Sequence, residues 1–128
     1  MLLEIDYGNT RLKWRLLESK SSKVISRGAV FGFEQLVAEL EKIKRLRLLF
    51  CRVCSVRSRK ESEQLIALLE RRFSIPVQVA YSQHEFASVT SGYENATRLG
   101  VDRWLAMIAA YHKVQGACVV IDCGTAIT

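Results

Sequence analysis

Apolar and polar residues alternate along the first part of the chain. Residues 2–5 form an apolar run. In the following segment, Leu12, Trp14 and Leu16 are separated by charged residues. Because successive side chains of a strand point to opposite faces of a sheet, this pattern predicts two strands joined by a tight turn. A third strand is predicted over residues 23–30, so we expect the chain to open with a β-meander.

Helical spacing replaces the alternation after this meander. Apolar residues recur three and four positions apart, at Phe33, Leu36, Val37, Leu40 and Ile43. Residues 46–53 return to a strand-like apolar run. Ser58, with Glu61 three residues later, has the form of a capping box and predicts the start of a second helix. Pro76 helps to end that helix, and residues 77–80 are typical of another strand.

The last third of the chain contains a further helix and strand pattern. Residues 81–99 are polar and rich in turn formers. Helical spacing then resumes at Val101, Trp104, Leu105, Ile108 and His112. Residues 117–122 have the composition of a buried strand. Three opening strands followed by alternating helices and strands predict an α/β fold, in which helices flank a mixed sheet.

The end of the chain bears on its domain organisation. The sequence stops six residues after the predicted strand at 117–122. We therefore expect residues 1–115 to form one domain and residues 116–128 to begin a second domain, the remainder of which is absent.

The composition is that of a folded chain. Of its 128 residues, 49% are hydrophobic and 25% are charged, which argues against disorder. No apolar run approaches the roughly 20 residues of a membrane span, and no secretory signal is recognisable, so a cytoplasmic protein is expected. Cys51 and Cys54 spell C-x-x-C, but positions i and i+3 of a strand point to opposite faces. The four cysteines are therefore expected to be buried thiols.

The net charge of +6 favours anionic partners. The basic residues, however, concentrate at 42–47, 57–60 and 71–72, in or beside predicted helices, where a solvated helix face explains them. No zinc-finger spacing, aromatic RNA-binding motif or basic arm accompanies the charge. A nucleic-acid partner is therefore not favoured.

An Asp-x-Gly turn occurs twice, each time directly after an apolar run. The two copies are Asp6-Tyr7-Gly8-Asn9-Thr10 and Asp122-Cys123-Gly124-Thr125. Glycine permits a turn with positive φ, backbone N–H groups there can face an anion, and an aspartate supplies oxygen to a hydrated cation. One copy is ordinary hairpin chemistry. Two copies favour a pair of turns that hold the phosphates of a nucleotide from opposite sides, an arrangement that suits phosphoryl transfer by positioning and electrostatics.

Lys13 lies three residues beyond the first of these turns. Alternation along the second strand is compatible with a lysine that points to the same phosphates. An exposed strand lysine fits equally well. Lys13 is therefore a weaker phosphate candidate than Asp6 or Thr10.

An Asp-Arg pair stands at the predicted start of the third helix, in Gly100-Val101-Asp102-Arg103. Asp102 suits a general base that accepts the proton of an alcohol, and Arg103 suits a clamp for a substrate carboxylate. Asp102 equally suits the positive end of a helix dipole, with Arg103 solvated. The spacing alone leaves both interpretations open.

Taken in order, the three motifs closely resemble those of the type III pantothenate kinase family, in the acetate and sugar kinase, heat-shock 70 and actin superfamily. The motifs are Asp6-x-Gly8-Asn9-Thr10, Gly100-x-Asp102-Arg103 and Asp122-x-Gly124-Thr125-Ala126-x-Thr128. The resemblance covers residues 1–128 and corresponds to the N-terminal half of a family member. It implies an actin-like (ribonuclease H-like) fold, and ATP-dependent phosphorylation of pantothenate in the first step of coenzyme A synthesis.

The same resemblance implies two phosphate motifs and their cations. The residues implied to contact ATP phosphates, with Lys13 added from its strand position, are Asp6, Gly8, Asn9, Thr10, Lys13, Gly124, Thr125 and Thr128. Asp6 would lie near magnesium, directly or through water. Asp122 would help to hold an activating monovalent cation, K⁺ or NH₄⁺.

The resemblance also implies an acceptor site. Asp102 would act as the base toward the 4′-hydroxyl of pantothenate, and Tyr93, Gly100 and Arg103 would contact pantothenate. A homodimer would complete the pocket. Two alternatives remain, a regulatory protein on the same scaffold, like the Bvg accessory factor proteins that resemble this family, and a related kinase with another small-molecule acceptor.

Overall fold

Strands and helices alternate along the chain. The computed structural model describes residues 1–123. The elements are β1 (Leu2–Tyr7), β2 (Leu12–Leu17), β3 (Val24–Val30), α1 (Phe33–Glu41), β4 (Phe50–Ser55), α2 (Arg59–Phe73), β5 (Val77–Val79), β6 (Glu85–Phe86), β7 (Val89–Thr90), a 3₁₀ turn (Ala96–Arg98) and α3 (Val101–Val114). They fall into two compact units, Met1–Ala80 and a second unit that begins at Tyr81.

The first unit contains a five-stranded mixed sheet in the order β3-β2-β1-β4-β5. β1 and β2, and β2 and β3, pair antiparallel, which confirms the predicted meander. β1 and β4, and β4 and β5, pair parallel. The predicted α/β fold with a mixed sheet is thus confirmed. Because β1 and β4 run in the same direction, their carboxyl ends lie at one edge, where Tyr7 is opposite Ser55.

One face of this sheet forms the core of the first unit. β2 shows the expected alternation, since its apolar residues Trp14 and Leu16 are buried while Lys13 and Arg15 are exposed. Both helices of the unit contribute buried leucines to the same cluster as the strands. These helix residues are Leu36, Leu40, Leu65 and Leu69. α1 and α2 therefore cover a single face of the sheet.

The opposite face of β1 and β2 is charged. Glu4 forms ion pairs with Arg15 of β2 and with Arg52 of β4. Asp6 lies two residues further along β1, and therefore on the same face as Glu4. The carboxylates of β1 thus stand away from the apolar core.

The capping box predicted at Ser58 is present at the start of α2. The Ser58 hydroxyl accepts a hydrogen bond from the Glu61 N–H, and the Glu61 carboxylate accepts one from the Ser58 N–H at 3.1 Å. Two backbone N–H groups that an open helix end would leave unpaired are satisfied in this way. The cap fixes the loop between β4 and α2, which lies at the same edge as the end of β1.

We expect acid to weaken this cap. Hydrogen bonds from the Ser58 hydroxyl and N–H, and then Arg57, hold the pKa of Glu61 below its ordinary value of 4.5. Since the folded-state pKa is the lower one, this stabilisation is present above about pH 4.5 and is lost as the pH falls through the folded-state value. Glu61→Gln should therefore reduce the loss of unfolding free energy below pH 4.5, as measured by urea denaturation over a pH series.

Glu63→Gln provides the matched control for this measurement. Glu63 lies on the same helix and pairs with Arg59 rather than with the cap. That variant should keep the acid dependence of the wild type. An identical acid dependence in the wild type and Glu61→Gln would show that the cap contributes nothing to it.

The second unit opens with a two-stranded hairpin of β6 and β7. Its turn residues Ala87 and Ser88 both have positive φ, as a tight two-residue hairpin turn requires. The ring nitrogen Nε2 of His112 on α3 lies 3.0 Å from the Ala87 carbonyl oxygen. Trp104 is buried. The contact of His112 with the hairpin links α3 to the turn, which is a packing role.

Two predicted strands differ from the structure. Residues 117–122 do not form the predicted buried strand, and their side chains are exposed, with Val119 at 87%. A strand is stable when a neighbour binds its N–H and C=O groups, and within residues 1–123 no strand pairs with this segment. β4 also begins at Phe50 rather than at residue 46. The domain boundary at 115/116 stays a prediction.

The cysteines are only partly buried. Cys51 on β4 is buried in the core, and burial, with a smaller effect of the Glu4 charge, raises the pKa of its thiol to about 12. Cys54 is half-buried, whereas Cys118 and Cys123 are exposed, contrary to expectation. The last two follow α3, in the stretch that forms no strand. Among the described residues no group of three His, Cys, Asp or Glu side chains is placed to bind a metal.

None of the helices within residues 1–123 is long and apolar enough to cross a membrane. The longest, α2, has 15 residues.

Candidate active site

The first Asp-x-Gly turn joins β1 to β2. The N–H of Gly8 donates a hydrogen bond to the carbonyl oxygen of Arg11 at 3.1 Å and closes the turn. Gly8 does not have the positive φ that the sequence predicts, and no glycine within the described part of the chain does. A Cβ atom at Gly8 would lie 3.2 Å from the Arg11 oxygen. The glycine is therefore suited to a close approach of two backbone segments rather than to an unusual backbone angle.

Asp6 and Lys13 meet across β1 and β2. They are direct partners in the antiparallel register, and Lys13 Nζ lies 3.5 Å from Asp6 Oδ2. The side chains are 42% and 58% exposed, respectively, so water screens the pair. The Asp6 carboxylate is therefore open to a further cation. The structure brings together these two predicted phosphate-site residues.

Asn9 and Thr10 lie at the exposed tip of the turn. The carbonyl oxygen of Asn9 accepts a hydrogen bond from Arg57 Nη1 at 2.6 Å. The same guanidinium binds Glu61 through Nη2 at 2.5 Å. The guanidinium carbon Cζ of Arg57 lies 5.4 Å from the centre of the Tyr7 ring. Arg57 therefore belongs to the edge of the sheet that carries the turn.

Sequence reasoning missed Arg57. Arg57 belongs to the basic run 57–60, for which the sequence predicts a solvated helix face. The parallel pairing of β1 with β4 places the loop after β4 beside the turn after β1, and Val56 N–H donates to the Tyr7 oxygen at 3.2 Å. The capping box directly after Arg57 was the one local signal, because it fixes where the loop ends.

The Asp-Arg motif occupies the first turn of α3, in the second unit. Gly100 is the N-cap residue, and the Oδ1 atom of Asp102 accepts a hydrogen bond from the Arg103 N–H at 2.8 Å. Asp102 is half-buried and Arg103 is exposed. The helix end thus orients one oxygen of the carboxylate. This arrangement fits the positive end of the helix and also holds the side chain in a fixed direction.

Tyr93 lies in the segment before α3, apart from the Asp-Arg motif. It contributes to a cavity of about 330 Å³, lined by Gly92, Tyr93, Glu94, Asn95 and Arg98. Gly100, Asp102 and Arg103 are not among the lining residues. Sequence reasoning did not single out Arg98, which lies on the 3₁₀ turn and adds a cation to the cavity wall.

The second Asp-x-Gly turn lies mostly outside the described residues. This applies to the predicted phosphate residues Gly124, Thr125 and Thr128. Asp122, the predicted ligand of a monovalent cation, is exposed. Its role stays a prediction.

These features define a class of protein: an α/β chain whose first strand ends in an Asp-x-Gly turn beside a mixed sheet. The family model of the type III pantothenate kinases matches residues 2–128. The chain belongs to this family, which confirms the resemblance inferred from the three motifs.

Curated relatives agree with this family. The type III pantothenate kinase of Pseudomonas putida (strain W619) is 44% identical over 126 residues, which is 98% of this chain and 51% of the relative. That of Pseudomonas fluorescens (strain Pf0-1) is 42% identical over 128 residues, 100% of this chain and 51% of the relative. That of Pseudomonas paraeruginosa (strain DSM 24068 / PA7) is 44% identical with the same coverage. The chain spans about half the length of these relatives.

Proposed function

We propose that this chain is part of an enzyme that transfers the γ-phosphoryl group of ATP to the 4′-hydroxyl of pantothenate. The observation that carries the proposal is the family match over residues 2–128. The products are ADP and 4′-phosphopantothenate, the first intermediate of coenzyme A synthesis. The sequence motifs assign one phosphate turn to the first unit, and the second phosphate turn and the acceptor residues to the second unit.

In this proposal the turn after β1 binds ATP phosphates. The Gly8 N–H is engaged with Arg11, so Gly8 shapes the turn, and the donors to phosphate come from Asn9, Thr10 and Lys13. The Lys13 ammonium, half-exposed beside Asp6, is able to attract both the carboxylate and an incoming phosphate. The phosphate-binding role of the turn is thus supported by its charge and by its place at a strand end.

Magnesium fits Asp6. Mg²⁺ is usually held by one or two carboxylates together with water and substrate phosphates, and the Asp6 carboxylate is partly exposed on the charged face of β1. We propose that Asp6 holds the ion directly or through water. When bound, the ion would offset the negative charge of the transferring phosphoryl group.

Asp102 acts as the general base in this scheme. It accepts the proton of the 4′-hydroxyl while the hydroxyl oxygen bonds to the γ-phosphorus and the bond to ADP breaks. One oxygen of Asp102 is held by the Arg103 N–H, which leaves the second oxygen to face the alcohol. Arg103, with an exposed guanidinium, binds the pantothenate carboxylate, and Gly100 and Tyr93 complete the acceptor contacts.

The remaining parts of the proposal concern the whole protein. Residues 1–115 would form an actin-like domain and residues 116–128 the start of a similar second domain. Asp122 would hold K⁺ or NH₄⁺, and Gly124, Thr125 and Thr128 would contact the phosphates. The enzyme would be a cytoplasmic homodimer. These statements rest on the family and on the motif spacing.

A direct test is the release of ADP by the intact gene product with different acceptors. We expect release that depends on pantothenate and not on acetate or a sugar. Release that requires another acceptor would favour the related-kinase alternative. No release, together with DNA binding that weakens steeply with salt, would favour the regulatory alternative.

Gly100→Ala tests how Asp102 is held. The backbone angles of Gly100, φ −55° and ψ 134°, are accessible to alanine, so the fold should persist. A Cβ atom there would lie 2.6 Å from Asp102 Oδ1, so the carboxylate has to move. We expect kcat in the intact gene product to fall about tenfold or more, since small misplacements of reacting groups are costly.

Gly32→Ala is the matched control. Gly32 is the N-cap of α1, and a Cβ atom there would meet only the Glu34 carboxylate at 3.8 Å. Its kcat should equal that of the wild type. Equal activity of Gly100→Ala and the wild type would contradict the proposed position of the base.

A further inference from the structure

Arg57 connects the first Asp-x-Gly turn, between β1 and β2, to the N-terminus of α2. Its Nη1 binds the Asn9 carbonyl oxygen at 2.6 Å, and its Nη2 binds Glu61 Oε1 at 2.5 Å. Asn9 is 48 residues away along the chain. The Glu61 carboxylate is itself held by the capping box at Ser58. The turn is therefore linked through one guanidinium to a fixed helix end.

The surroundings of Arg57 are not those of a solvated surface arginine. Its side chain is 30% exposed, and its Nε atom is buried without a hydrogen-bond partner among the described residues. The guanidinium also lies against the ring of Tyr7, the residue between Asp6 and Gly8. The guanidinium binds the two oxygens from two separate nitrogens of a rigid planar fork, a geometry that a lysine ammonium lacks.

The hydrogen bond from Arg57 to the Asn9 carbonyl oxygen orients a peptide group of the turn. A trans peptide is planar, and its C=O and N–H point in opposite directions. A fixed Asn9 carbonyl therefore also fixes the direction of the Thr10 N–H. Both outer nitrogens of Arg57 are already engaged with protein oxygens. Arg57 is thus placed to orient the turn rather than to contact phosphate itself.

We propose that Arg57 is a positioning residue that holds the Asn9–Thr10 peptide in the orientation required to bind ATP phosphates. This inference rests on the proposed function of the turn. Loss of Arg57 should weaken ATP binding more than it slows the transfer step, because the acceptor base Asp102 does not depend on it. The KM for pantothenate should be unaffected.

The kinetic test uses Arg57→Met, Arg57→Lys and the matched control Arg59→Met in the intact gene product. Arg59 lies two residues away and pairs with Glu63 on the exposed surface of α2. Arg57→Met should raise the KM for ATP about tenfold, the effect of a lost charge-assisted hydrogen bond. Arg57→Lys should recover part of this loss, and Arg59→Met should match the wild type. An unchanged KM for ATP in Arg57→Met would overturn the inference.

Amide hydrogen exchange, without substrate, separates this inference from the proposed function. The Gly8 N–H is hydrogen-bonded in the turn, so a loosened turn should exchange it faster in Arg57→Met and not in Arg59→Met. Faster exchange in a protein that does not phosphorylate pantothenate would support the positioning role and contradict the proposed function. Unchanged exchange in an active enzyme would overturn the positioning role and leave the function intact.

Discussion

Asp102→Asn in the intact gene product is expected to lower kcat for pantothenate phosphorylation by about 10²-fold or more. An amide cannot accept the proton of the 4′-hydroxyl. Asparagine otherwise keeps the size of the side chain and an oxygen that can accept the Arg103 N–H, as Asp102 Oδ1 does at 2.8 Å. The fold and the first turn of α3 should therefore persist. Steady-state kinetics at saturating ATP and pantothenate measure the effect.

Glu85→Gln is the control for a lost carboxylate in the same unit. Glu85 is exposed on β6. Its kcat should equal that of the wild type. Wild-type kcat in Asp102→Asn would show that Asp102 only suits the positive end of the helix dipole, which is the structural alternative that the sequence leaves open.

Asp6→Asn is expected to reduce kcat/KM for ATP by about 10²-fold, the usual effect of removing one preorganised electrostatic group. Asparagine keeps the shape of the side chain but removes the charge that is proposed to hold magnesium. The substitution also removes the ion pair with Lys13. Because that pair is exposed, its loss should change the unfolding free energy by about 1 kcal/mol or less. Kinetics over a magnesium series measure the first effect.

Glu4→Gln separates a magnesium role from a general effect of charge on this face. Glu4 lies two residues before Asp6 on β1. It forms an ion pair with Arg15 on the neighbouring strand β2, as Asp6 does with Lys13. It lies further from the turn. We expect near wild-type kcat/KM for ATP in Glu4→Gln. Equal losses in the two variants would contradict a specific role of Asp6.

Local patterns in the sequence predicted most of the elements. The alternation in β2 and the capping box at Ser58 are both set by residues within a few positions of one another. Such short-range signals determine which face of an element is apolar and where a helix begins. They therefore predicted the meander and the three helices, and the order of these elements predicted the mixed sheet.

Features that depend on distant residues were not accessible in this way. Residues 117–122 have the composition of a strand, but composition does not supply a pairing partner, and they are exposed. The sequence marked Gly8 as special, yet it did not distinguish a positive φ from a close approach to Arg11. Arg57 looked like its basic neighbours, because its contact with Asn9 arises only once β1 and β4 pair.

The residues of the candidate site also divide into those that local patterns place and those that depend on distant contacts. Strand alternation left Lys13 open between a phosphate contact and an exposed lysine, and the structure pairs it with Asp6. Asp102 could be placed in the first turn of a helix from the spacing of apolar residues. The cavity that contains Tyr93 and Arg98 depends on how the segment before α3 folds, and its sequence carries only turn signals.

The most direct test of the proposed function is mass spectrometry of the reaction of the intact gene product with pantothenate, ATP, magnesium and potassium. The proposal predicts 4′-phosphopantothenate from the wild type, no product without ATP, and little product from Asp102→Asn. No phosphopantothenate from folded wild-type protein would contradict it.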